Sequence, residues 1–342
     1  QSLEGSTMPE TLGVGIIGMR MGASQLRQIV NVPGLELIAI CDLDEDRVRS
    51  IQDEFDVPFG TTDYEDLCAH EDVDIVSVAA PDYLHLEMAE AAFANGKHVM
   101  MEKPLARTVE ECQAMIQAQR EAGTKLMTAH VARFYDVFQK IKRWTEDGTL
   151  GETYNLYTSY IHNYEQIPGF NEWRFDPEKR HQLIGGGCHA LDLARWIGGE
   201  VAEVSCYSNH FNIPVLQTDD HFNINVRFES GAVGIVVGSF GCAHPYNVDL
   251  HVWGTKGTVI ATNTTPTARI CLRQTDRHTW MEMPAGAAPK GLAAEFQALA
   301  EAIRNDTVPD SDGVSGARTV ALGWAAIESS REGRPVEPKT DF

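Results

Sequence analysis

The stretch GVGIIGMRMGASQLRQIV, residues 13–30, decides the first half of the fold. A short apolar run ends in a cluster of glycines, and residues with helical spacing follow it. Such a turn is typical of dinucleotide binding when an acidic residue closes the next strand about 20 residues further on. Asp42 closes the apolar run LELIAICD (35–42) at about that distance from Gly18. The combination predicts a nucleotide-binding turn between a strand and a helix.

The turn departs from its usual pattern at Arg20. Read as G-x-G-x-x-A, its three positions are Gly18, Arg20 and Ala23, and the middle glycine normally lets the backbone approach the pyrophosphate. An arginine there can lie across the phosphates as a cation, or it can be solvated beside the turn. We favour contact with the cofactor, with Gly22 supplying the remaining backbone freedom.

Strand and helix patterns alternate through the rest of the first half. This order predicts βαβ units with right-handed crossovers, and therefore an α/β, doubly wound Rossmann domain. A carboxylate at Asp42 would accept hydrogen bonds from ribose hydroxyls and repel a 2′-phosphate, which favours NAD over NADP. The predicted strands are GVGIIG (13–18), LELIAICD (35–42), VDIVSVAAP (73–81), HVMMEKP (98–104) and KLMTAHV (125–131).

From about residue 150 the pattern changes to successive short strands joined by turn-like links such as ESGAV (229–233). This pattern predicts an α+β domain with a large open, mostly antiparallel sheet. The C-terminal RPVEPKTDF (334–342) is polar and contains proline, so we expect an extended arm. We divide the chain into a disordered tag remnant at 1–12, a dinucleotide-binding Rossmann domain at 13–130, and a substrate-binding and oligomerisation domain at 131–342.

Composition excludes several classes of function. The 342 residues carry a formal net charge of −21, which disfavours nucleic acid and anionic membranes as partners. No apolar run reaches the roughly 18 residues needed to cross a bilayer. The seven cysteines are scattered without a CxxC pair, which fits a reducing, cytoplasmic compartment. The twelve histidines form no metal-binding motif, so we predict no metal site.

Several segments occur together in a recognisable order. After the dinucleotide turn come AAPDYLH (79–85), MEKP (101–104), GTLGE (148–152) and GGGCHALDLARW (185–196). This series resembles the Gfo/Idh/MocA family, the glucose–fructose oxidoreductase and inositol dehydrogenase group. The resemblance implies a pyridine nucleotide cofactor, a sugar, glycoside or cyclitol as substrate, and a homodimer or homotetramer formed through the second-domain sheet.

Two residues are the predicted catalytic pair. Lys103 follows the fourth parallel strand, at the edge where doubly wound sheets bind ligands, and the resemblance makes it the lysine of the E-K-P signature. Its ammonium can hydrogen-bond a substrate hydroxyl and relay a proton, and a cis bond before Pro104 would direct it. The resemblance also makes His189 the general acid/base. The alternative for Lys103 is a surface ion pair with Glu102, and the alternative for His189 is a histidine buried in the core without a catalytic role.

Further residues are predicted to contact the substrate. Asp192 shares a helical face with His189 and can orient the imidazole, bind a hydroxyl, or simply complement the helix dipole. In NEWRFDPEK (171–179) the resemblance places Trp173 and Arg174 near the cofactor and the substrate. His130 and Arg133 lie where the chain leaves the fifth predicted strand, at its ligand-binding end. A structural loop or hinge is the alternative for each. The predicted substrate-binding set is Lys103, His130, Arg133, Trp173, Arg174, His189 and Asp192.

One position departs from the family. Many members carry an aspartate four residues before the histidine, and here that position is Gly185. The resemblance therefore implies that Lys103 and His189 carry more of the proton transfer. An anionic substrate is also compatible with the sequence if Arg133, Arg174 and His181 form a basic pocket.

The predicted cofactor site extends beyond the glycine turn. Pro81 and His85 lie after the third strand, where the family contacts the cofactor, and Glu102 is expected to orient either the cofactor or Lys103. The predicted cofactor-binding set is Gly18, Met19, Arg20, Met21, Gly22, Asp42, Leu43, Arg47, Ala80, Pro81, Leu84, His85, Glu102 and Lys103.

Three functions remain open at this point. The first is an NAD-dependent oxidoreductase that transfers hydride between the cofactor and a hydroxyl or keto carbon of a sugar, glycoside or cyclitol. The second is a glycoside hydrolase that oxidises its substrate transiently with retained NAD, eliminates the leaving group, adds water and reduces again. The third is a sugar- or nucleotide-sensing protein without catalysis, because fold alone does not fix function.

Overall fold

The computed structural model describes residues 11–167, 173–273, 277–285 and 291–342. The chain forms two compact units. The first contains the chain up to Glu102 together with Gln113–Ala129 and Leu292–Gly313; the second contains Lys103–Cys112, His130–Gly291 and Val314–Phe342. The chain therefore enters the second unit first at Lys103 and again at His130, returning to the first unit at Gln113 and at Leu292. Of the predicted tag remnant, 1–10 lie outside the described residues and Leu12 opens a strand.

Strands and helices alternate up to residue 128, as the sequence predicts. The elements are β1 (Leu12–Ile17), α1 (Met19–Ile29), β2 (Leu35–Cys41), α2 (Glu45–Phe55), β3 (Phe59–Thr61), α3 (Tyr64–Ala69), β4 (Ile75–Val78), α4 (His85–Ala94), β5 (His98–Met101), α5 (Val109–Ala122) and β6 (Leu126–Thr128).

The remaining elements begin with a helix and continue mainly as strands. They are α6 (Asp136–Glu146), β7 (Thr153–Ile161), α7 (Gln182–Gly185), α8 (Cys188–Gly198), β8 (Val201–Asn209), β9 (His221–Phe228), β10 (Val233–Ser239), β11 (Asn247–Gly254), β12 (Gly257–Thr262), β13 (Thr267–Leu272), β14 (Met281–Pro284), α9 (Gly291–Arg304) and α10 (Gly313–Glu332).

The sheet of the first unit is the predicted doubly wound one. Its strands run in the order β3-β2-β1-β4-β5-β6, and every pairing is parallel. All six residues of β1 are buried, as expected for a strand covered on both faces. The order reverses direction beside β1, so the carboxyl ends of β1 and β4 meet at the switch point where such sheets bind ligands.

A late segment of the chain completes the first unit. The backbone N–H of Thr128 in β6 donates to Ser311 O at 2.7 Å, and the guanidinium of Arg304 in α9 donates to Gly34 O at 2.7 Å. Lys125 also pairs with Asp306 at 2.6 Å. The first unit is therefore discontinuous in sequence.

The sheet of the second unit is open and mostly antiparallel, which confirms the predicted fold class. Its strands run in the order β14-β13-β12-β11-β7-β10-β9-β8, and the central β7–β10 pair alone is parallel. Buried residues alternate with partly or fully exposed ones along β9 and β11, and α8 packs against β7, β10 and β11. Tyr207, Val233 and Ile235 are exposed.

The chain ends along the edge strand β8. Val336 and Val204 exchange two backbone hydrogen bonds of 2.9 Å, and the Arg318 side chain donates to Thr340 O at 3.2 Å. The predicted extended arm is therefore tied to the sheet. Among the described residues, no helix has both the length and the apolar character needed to cross a membrane.

Candidate functional site

Gly18 occupies the sharp turn between β1 and α1. Its φ is +90°, a region that residues with a side chain rarely adopt. A Cβ at this position would also lie 2.7 Å from Ala79 O, so the end of β4 closes directly against the turn. Both observations require glycine here and leave the backbone bare at the N-terminus of α1, where a phosphate can approach.

Asp42 lies beside the same helix terminus. Its Oδ2 accepts a hydrogen bond of 2.8 Å from Met19 N, and its Oδ1 accepts one of 2.7 Å from the Arg47 side chain. The carboxylate is about one-tenth exposed, whereas the neighbouring Leu43 is almost fully exposed. A mostly buried acid at the end of β2, next to the glycine turn, has the position that ribose hydroxyls require.

The expected role of Gly22 needs correction. Gly22 lies inside α1 and is absent from the residues with positive φ, so it does not supply backbone freedom. A Cβ there would lie 2.6 Å from Ile16 Cγ2; its missing side chain therefore lets α1 pack closely on β1. Arg20 is exposed in the first turn of α1, and so is Met21; contact of Arg20 with the cofactor remains a prediction.

The loop after β4 is fixed by a buried histidine. His85 has no exposed surface, and its Nε2 lies 3.1 Å from Ala80 O. Pro81 precedes a single turn of 3-10 helix that ends at Leu84. The imidazole therefore holds the peptide group that follows the one facing Gly18, which gives His85 an indirect place in the predicted cofactor site.

Glu102 belongs to a buried polar chain that the sequence analysis missed. Gln25 Nε2 donates to Glu102 Oε1 at 3.0 Å, and Gln25 Oε1 accepts from Ser77 Oγ at 2.7 Å. Both Gln25 and Ser77 are buried. These hydrogen bonds orient the Glu102 carboxylate at the end of β5. The sequence offered one indication of them, which is a polar residue, Gln25, at an otherwise apolar position of α1.

Lys103 starts the second unit, and the Lys103–Pro104 peptide bond is cis, as expected. Two imidazoles lie near its charge. Burial first, and then Lys103, lower the pKa of His189 well below its ordinary value and also lower the pKa of His162. Lys103 and His189, which the sequence analysis paired, therefore lie within electrostatic reach of each other in the same unit.

His189 is a buried imidazole in the first turn of α8. It is 5% exposed, and its ring stacks on Tyr160 with the centroids 5.4 Å apart and the planes 18° apart. Its Nδ1 makes no hydrogen bond with any described residue. Burial, Lys103 and His130 all lower its pKa, and Arg180 acts in the same direction. The ring is therefore neutral at pH 7 and has a nitrogen available for a ligand.

His162 and Tyr160 were not predicted as site residues. The Tyr160 hydroxyl lies 3.1 Å from His162 Nδ1, and the His162 ring packs against Tyr164 and Tyr246 with centroids 5.3 and 4.9 Å away. These residues form an aromatic wall beside His189. Their assembly depends on the end of β7 meeting α8, a contact between distant segments that no local pattern reveals.

Asp192 is fully buried and is held by Arg133. The guanidinium donates to both carboxylate oxygens, at 2.7 and 2.6 Å, and His130 Nδ1 lies 2.7 Å from Oδ1. Burial would raise the pKa of Asp192, but Arg133 and His130 outweigh it and the pKa is lowered. The imidazole that Asp192 contacts is His130, whereas the sequence analysis considered His189. A direct role of His130, Arg133 and Asp192 in substrate binding remains a prediction.

Arg180 fills the space beside Gly185. A Cβ on Gly185 would lie 2.2 Å from the Arg180 Cζ, so a larger residue at this position would displace the guanidinium. Arg180 is 8% exposed and lies over the Trp173 ring at 5.4 Å, while Arg174 lies over the same ring at 4.6 Å. In the segment NEWRFDPEK, residues 171 and 172 lie outside the described residues. The guanidinium of Arg180 therefore lies beside the position at which the resemblance implies an aspartate.

The basic pocket expected from Arg133, Arg174 and His181 is not formed as a unit. Arg133 binds Asp192, Arg174 stacks on Trp173, and His181 caps α7 by accepting from Leu183 N at 3.2 Å. Burial and the charge of Arg331 lower the pKa of His181 to about 4. These three residues therefore have separate structural partners, and the cation near His189 that the sequence analysis missed is Arg180.

In the part of the chain that the structure describes, no group of three or more histidine, cysteine, aspartate or glutamate residues could hold a metal ion. All seven cysteines are free.

The fold and the two sites define a dinucleotide-binding α/β protein with a second, imidazole-containing site. Residues 12–130 match the family model described as "Oxidoreductase family, NAD-binding Rossmann fold", and residues 138–260 match the GFO/IDH/MocA C-terminal domain. The chain belongs to this family of oxidoreductases, which confirms the resemblance and the expected NAD cofactor.

Individual relatives are similar over nearly the whole chain. Myo-inositol 2-dehydrogenase from Thermotoga maritima is 27% identical, covering 95% of this chain and 98% of its own length. The 1,5-anhydro-D-fructose reductase of Ensifer adhaerens is 27% identical, covering 91% of this chain and 93% of its own length. A structure of levoglucosan dehydrogenase in complex with NADH and L-sorbose superposes with a TM-score of 0.89 at 22% identity, covering 97% of this chain and 100% of that one.

Proposed function

We propose that this protein transfers hydride between NAD and a hydroxyl-bearing carbon of a sugar, glycoside or cyclitol, with Lys103 and His189 handling the hydroxyl proton. One observation carries the proposal: a buried, neutral His189 keeps an available ring nitrogen within electrostatic reach of Lys103. A neutral imidazole beside an ammonium is suited to removing a proton from an alcohol.

The first unit has the features that NAD requires. Gly18 leaves the backbone bare at the start of α1, and Asp42 is positioned for ribose hydroxyls next to that turn. When bound, NAD supplies the hydride acceptor. The chain itself provides the binding surface and the groups that move the proton.

The proton path can be assigned to particular atoms. Lys103 Nζ donates a hydrogen bond to the substrate oxygen and stabilises the negative charge that develops there. His189 accepts the hydroxyl proton on a ring nitrogen, because its low pKa keeps it unprotonated at neutral pH. Tyr160 stacks on the imidazole and limits its rotation. We propose that Asp192 and Arg133 act by positioning His130 in the adjoining segment.

The named activities of the relatives favour a cyclic polyol. The matches include inositol 2-dehydrogenases and a reductase of 1,5-anhydro-D-fructose. These are ring compounds with several hydroxyls, and all the relatives named are oxidoreductases. We therefore place the substrate in the class of sugars, glycosides and cyclitols.

The test is a panel of sugars, glycosides and cyclitols with NAD, followed by NADH absorbance, for the wild type and Lys103→Met. We expect a wild-type rate with at least one compound and a loss of roughly 10²- to 10⁴-fold in kcat for Lys103→Met, the range for removing a proton-transfer group. The variant should retain most of its NAD affinity, measured by tryptophan fluorescence, because the glycine turn and Asp42 are unchanged.

Two results would contradict this assignment. A Lys103→Met enzyme with wild-type turnover would remove Lys103 from the chemistry. Release of free sugar from glycosides without added NAD or net NADH formation would instead support the hydrolase that works by transient oxidation.

A further inference from the structure

We propose that His162 is a specificity-determining residue whose Nε2 binds a second hydroxyl of the substrate, other than the hydroxyl whose proton His189 accepts. This inference rests on the proposed function and narrows its substrate class to polyols with a further hydroxyl near the reacting carbon. Its starting point is the side chain of Tyr160, which contacts both imidazoles.

Tyr160 joins His162 to the proposed proton acceptor. Its ring stacks on His189 with the centroids 5.4 Å apart, and its hydroxyl lies 3.1 Å from His162 Nδ1. Tyr160 is 5% exposed, and α8, which carries His189, packs against β7. The two imidazoles therefore share one buried neighbour, so a polyol bound at His189 has His162 close by.

The contact with Tyr160 leaves one nitrogen of His162 for a ligand. Burial raises the pKa of Tyr160 well above its ordinary value, so its hydroxyl keeps the proton and occupies Nδ1, whichever of the two atoms donates. His162 itself is half-buried, and its Nε2 makes no hydrogen bond with any residue that the structure describes. Nε2 is therefore available to a ligand.

The His162 ring is held in place before any ligand binds. Its backbone N–H donates to Ser239 O at 2.9 Å, which extends the pairing of β7 with β10. Tyr164 meets the ring edge-on with the centroids 5.3 Å apart, and Tyr246 packs against it at 4.9 Å. A ring fixed in this way loses little freedom on binding, so a single hydrogen bond from it can discriminate between ligands.

The chemistry of Nε2 fits a hydroxyl better than an anion. Burial and the charge of Lys103 lower the pKa of His162, so the ring is neutral at pH 7. A neutral imidazole has one donating and one accepting nitrogen, and a hydroxyl can accept from Nε2 or donate to it. A carboxylate can only accept, and it forms its strong hydrogen bonds with charged donors. We therefore assign Nε2 to an uncharged sugar or cyclitol hydroxyl.

The test measures binding to the NADH-loaded protein, so it does not depend on turnover. The ligands are D-glucose, D-galactose and myo-inositol, each compared with its monodeoxy analogues, and NADH fluorescence reports binding. For the wild type, we expect the loss of one particular hydroxyl to weaken binding of at least one ligand roughly 5- to 30-fold, the range for leaving a hydrogen-bonding group unpaired.

His162→Leu assigns that penalty to the imidazole. In this variant the affinity for the parent compound should fall to that for the analogue, while the analogue binds within about twofold of its wild-type affinity. A purely structural role of His162 would weaken the parent and every analogue by the same factor. The comparison therefore separates a contact with the substrate from a general loosening of the site.

The two amide variants identify the nitrogen. A glutamine amide reaches about as far as Nε2, whereas an asparagine amide reaches only about as far as Nδ1. His162→Gln should therefore keep part of the penalty for the missing hydroxyl, and His162→Asn should lose it. The same penalty in both variants, or in His162→Asn alone, would contradict the assignment to Nε2.

His251→Leu is the matched control. His251 is also half-buried and packs against two aromatic rings, those of Tyr157 and Trp253, with centroids 5.1 and 5.9 Å away. Tyr157 and Tyr160 point to opposite faces of β7, so His251 lies on the other side of the sheet. This variant should keep the whole preference for the parent compound.

The outcomes separate this inference from the proposed function. Three results would overturn the inference: no binding of any of the ligands, equal binding of parents and analogues by the wild type, or a penalty that survives in His162→Leu. NADH formation from a sugar or cyclitol would leave the proposed function standing in each case. If the penalty disappears in His162→Leu but no compound reduces NAD, the binding role of His162 holds and the proposed function fails.

Discussion

The turn at Gly18 and the site around His189 differ in construction. The turn consists mainly of backbone, because Gly18 contributes no side chain and α1 presents its N-terminal peptide groups, with Asp42 as the neighbouring charge. The site around His189 consists of buried, ionisable side chains from segments far apart in sequence. A backbone site depends on conformation at one residue, whereas the second site depends on a balance of charges.

This difference predicts different sensitivities. A change at the turn should act locally, through backbone strain and cofactor affinity. A change among the buried charges should lower the stability of the whole unit, because removing one partner leaves another charge buried without compensation. The following substitutions test this contrast in order of decreasing effect.

The largest effect on stability is expected for Asp192→Asn. The substitution leaves Arg133 buried beside a neutral amide, and breaking a buried pair in this way costs about 3–5 kcal/mol. Urea denaturation of the wild type and the variant measures the loss. Glu200→Gln is the matched control: Glu200 also binds an arginine, Arg195, but is 30% exposed, so we expect a loss of roughly 1 kcal/mol. Equal losses in the two variants would contradict the proposed contrast.

Gly18→Ala should have a smaller effect on stability but a specific effect on NAD. The φ of +90° and the 2.7 Å approach of Ala79 O make alanine strained here, at about 1–3 kcal/mol. The turn will relieve part of this strain by moving, so NAD affinity should fall. Equilibrium binding of NADH by fluorescence measures the change. Gly96→Ala, at another positive φ but with open space around it, should lose stability while keeping NADH affinity.

The smallest effect concerns pH and His181. The pKa of this partly buried imidazole is about 4, against an ordinary value of 6.5, so the unfolded chain takes up a proton first as the pH falls. Stability is complete above pH 6.5 and is lost as the pH falls towards 4. At pH 5 the loss from this group is about 2 kcal/mol.

Asparagine at position 181 can still cap α7 but does not titrate. Comparing unfolding free energies at pH 7.5 and pH 5, we expect His181→Asn to lose about 2 kcal/mol less than the wild type. His278→Asn replaces an exposed histidine, and its unfolding free energy should fall between pH 7.5 and pH 5 by as much as that of the wild type. An unchanged pH dependence in His181→Asn would show that this imidazole is not the titrating group.

The same contrast explains what could be predicted from the sequence. The glycine turn and Asp42 were found because strand, turn, helix and acid follow one another along the chain. The strands β3 and β14 and the helix α3 were missed because they are short; β3 is only half-buried and β14 mostly exposed, which weakens the apolar pattern on which such predictions depend.

Residues of the second site were found one at a time, but most of their contacts were not. Lys103 and His189 stand in recognisable motifs, whereas the pairing of Asp192 with His130, and the contact of Arg180 with Gly185, join segments that only the fold brings together. Periodicity reports which face of an element is buried. It carries no information about which distant charge lies against that face.

The return of the chain to the first unit has a practical consequence for expressing that unit as a separate fragment. A fragment ending at Ala129 would lack Leu292–Gly313, and with it the acceptor Ser311 O for Thr128 of β6 and the arginine that binds Gly34 O. No single cut yields an intact nucleotide-binding half. A recombinant version would need the late segment grafted behind β6 through a designed linker.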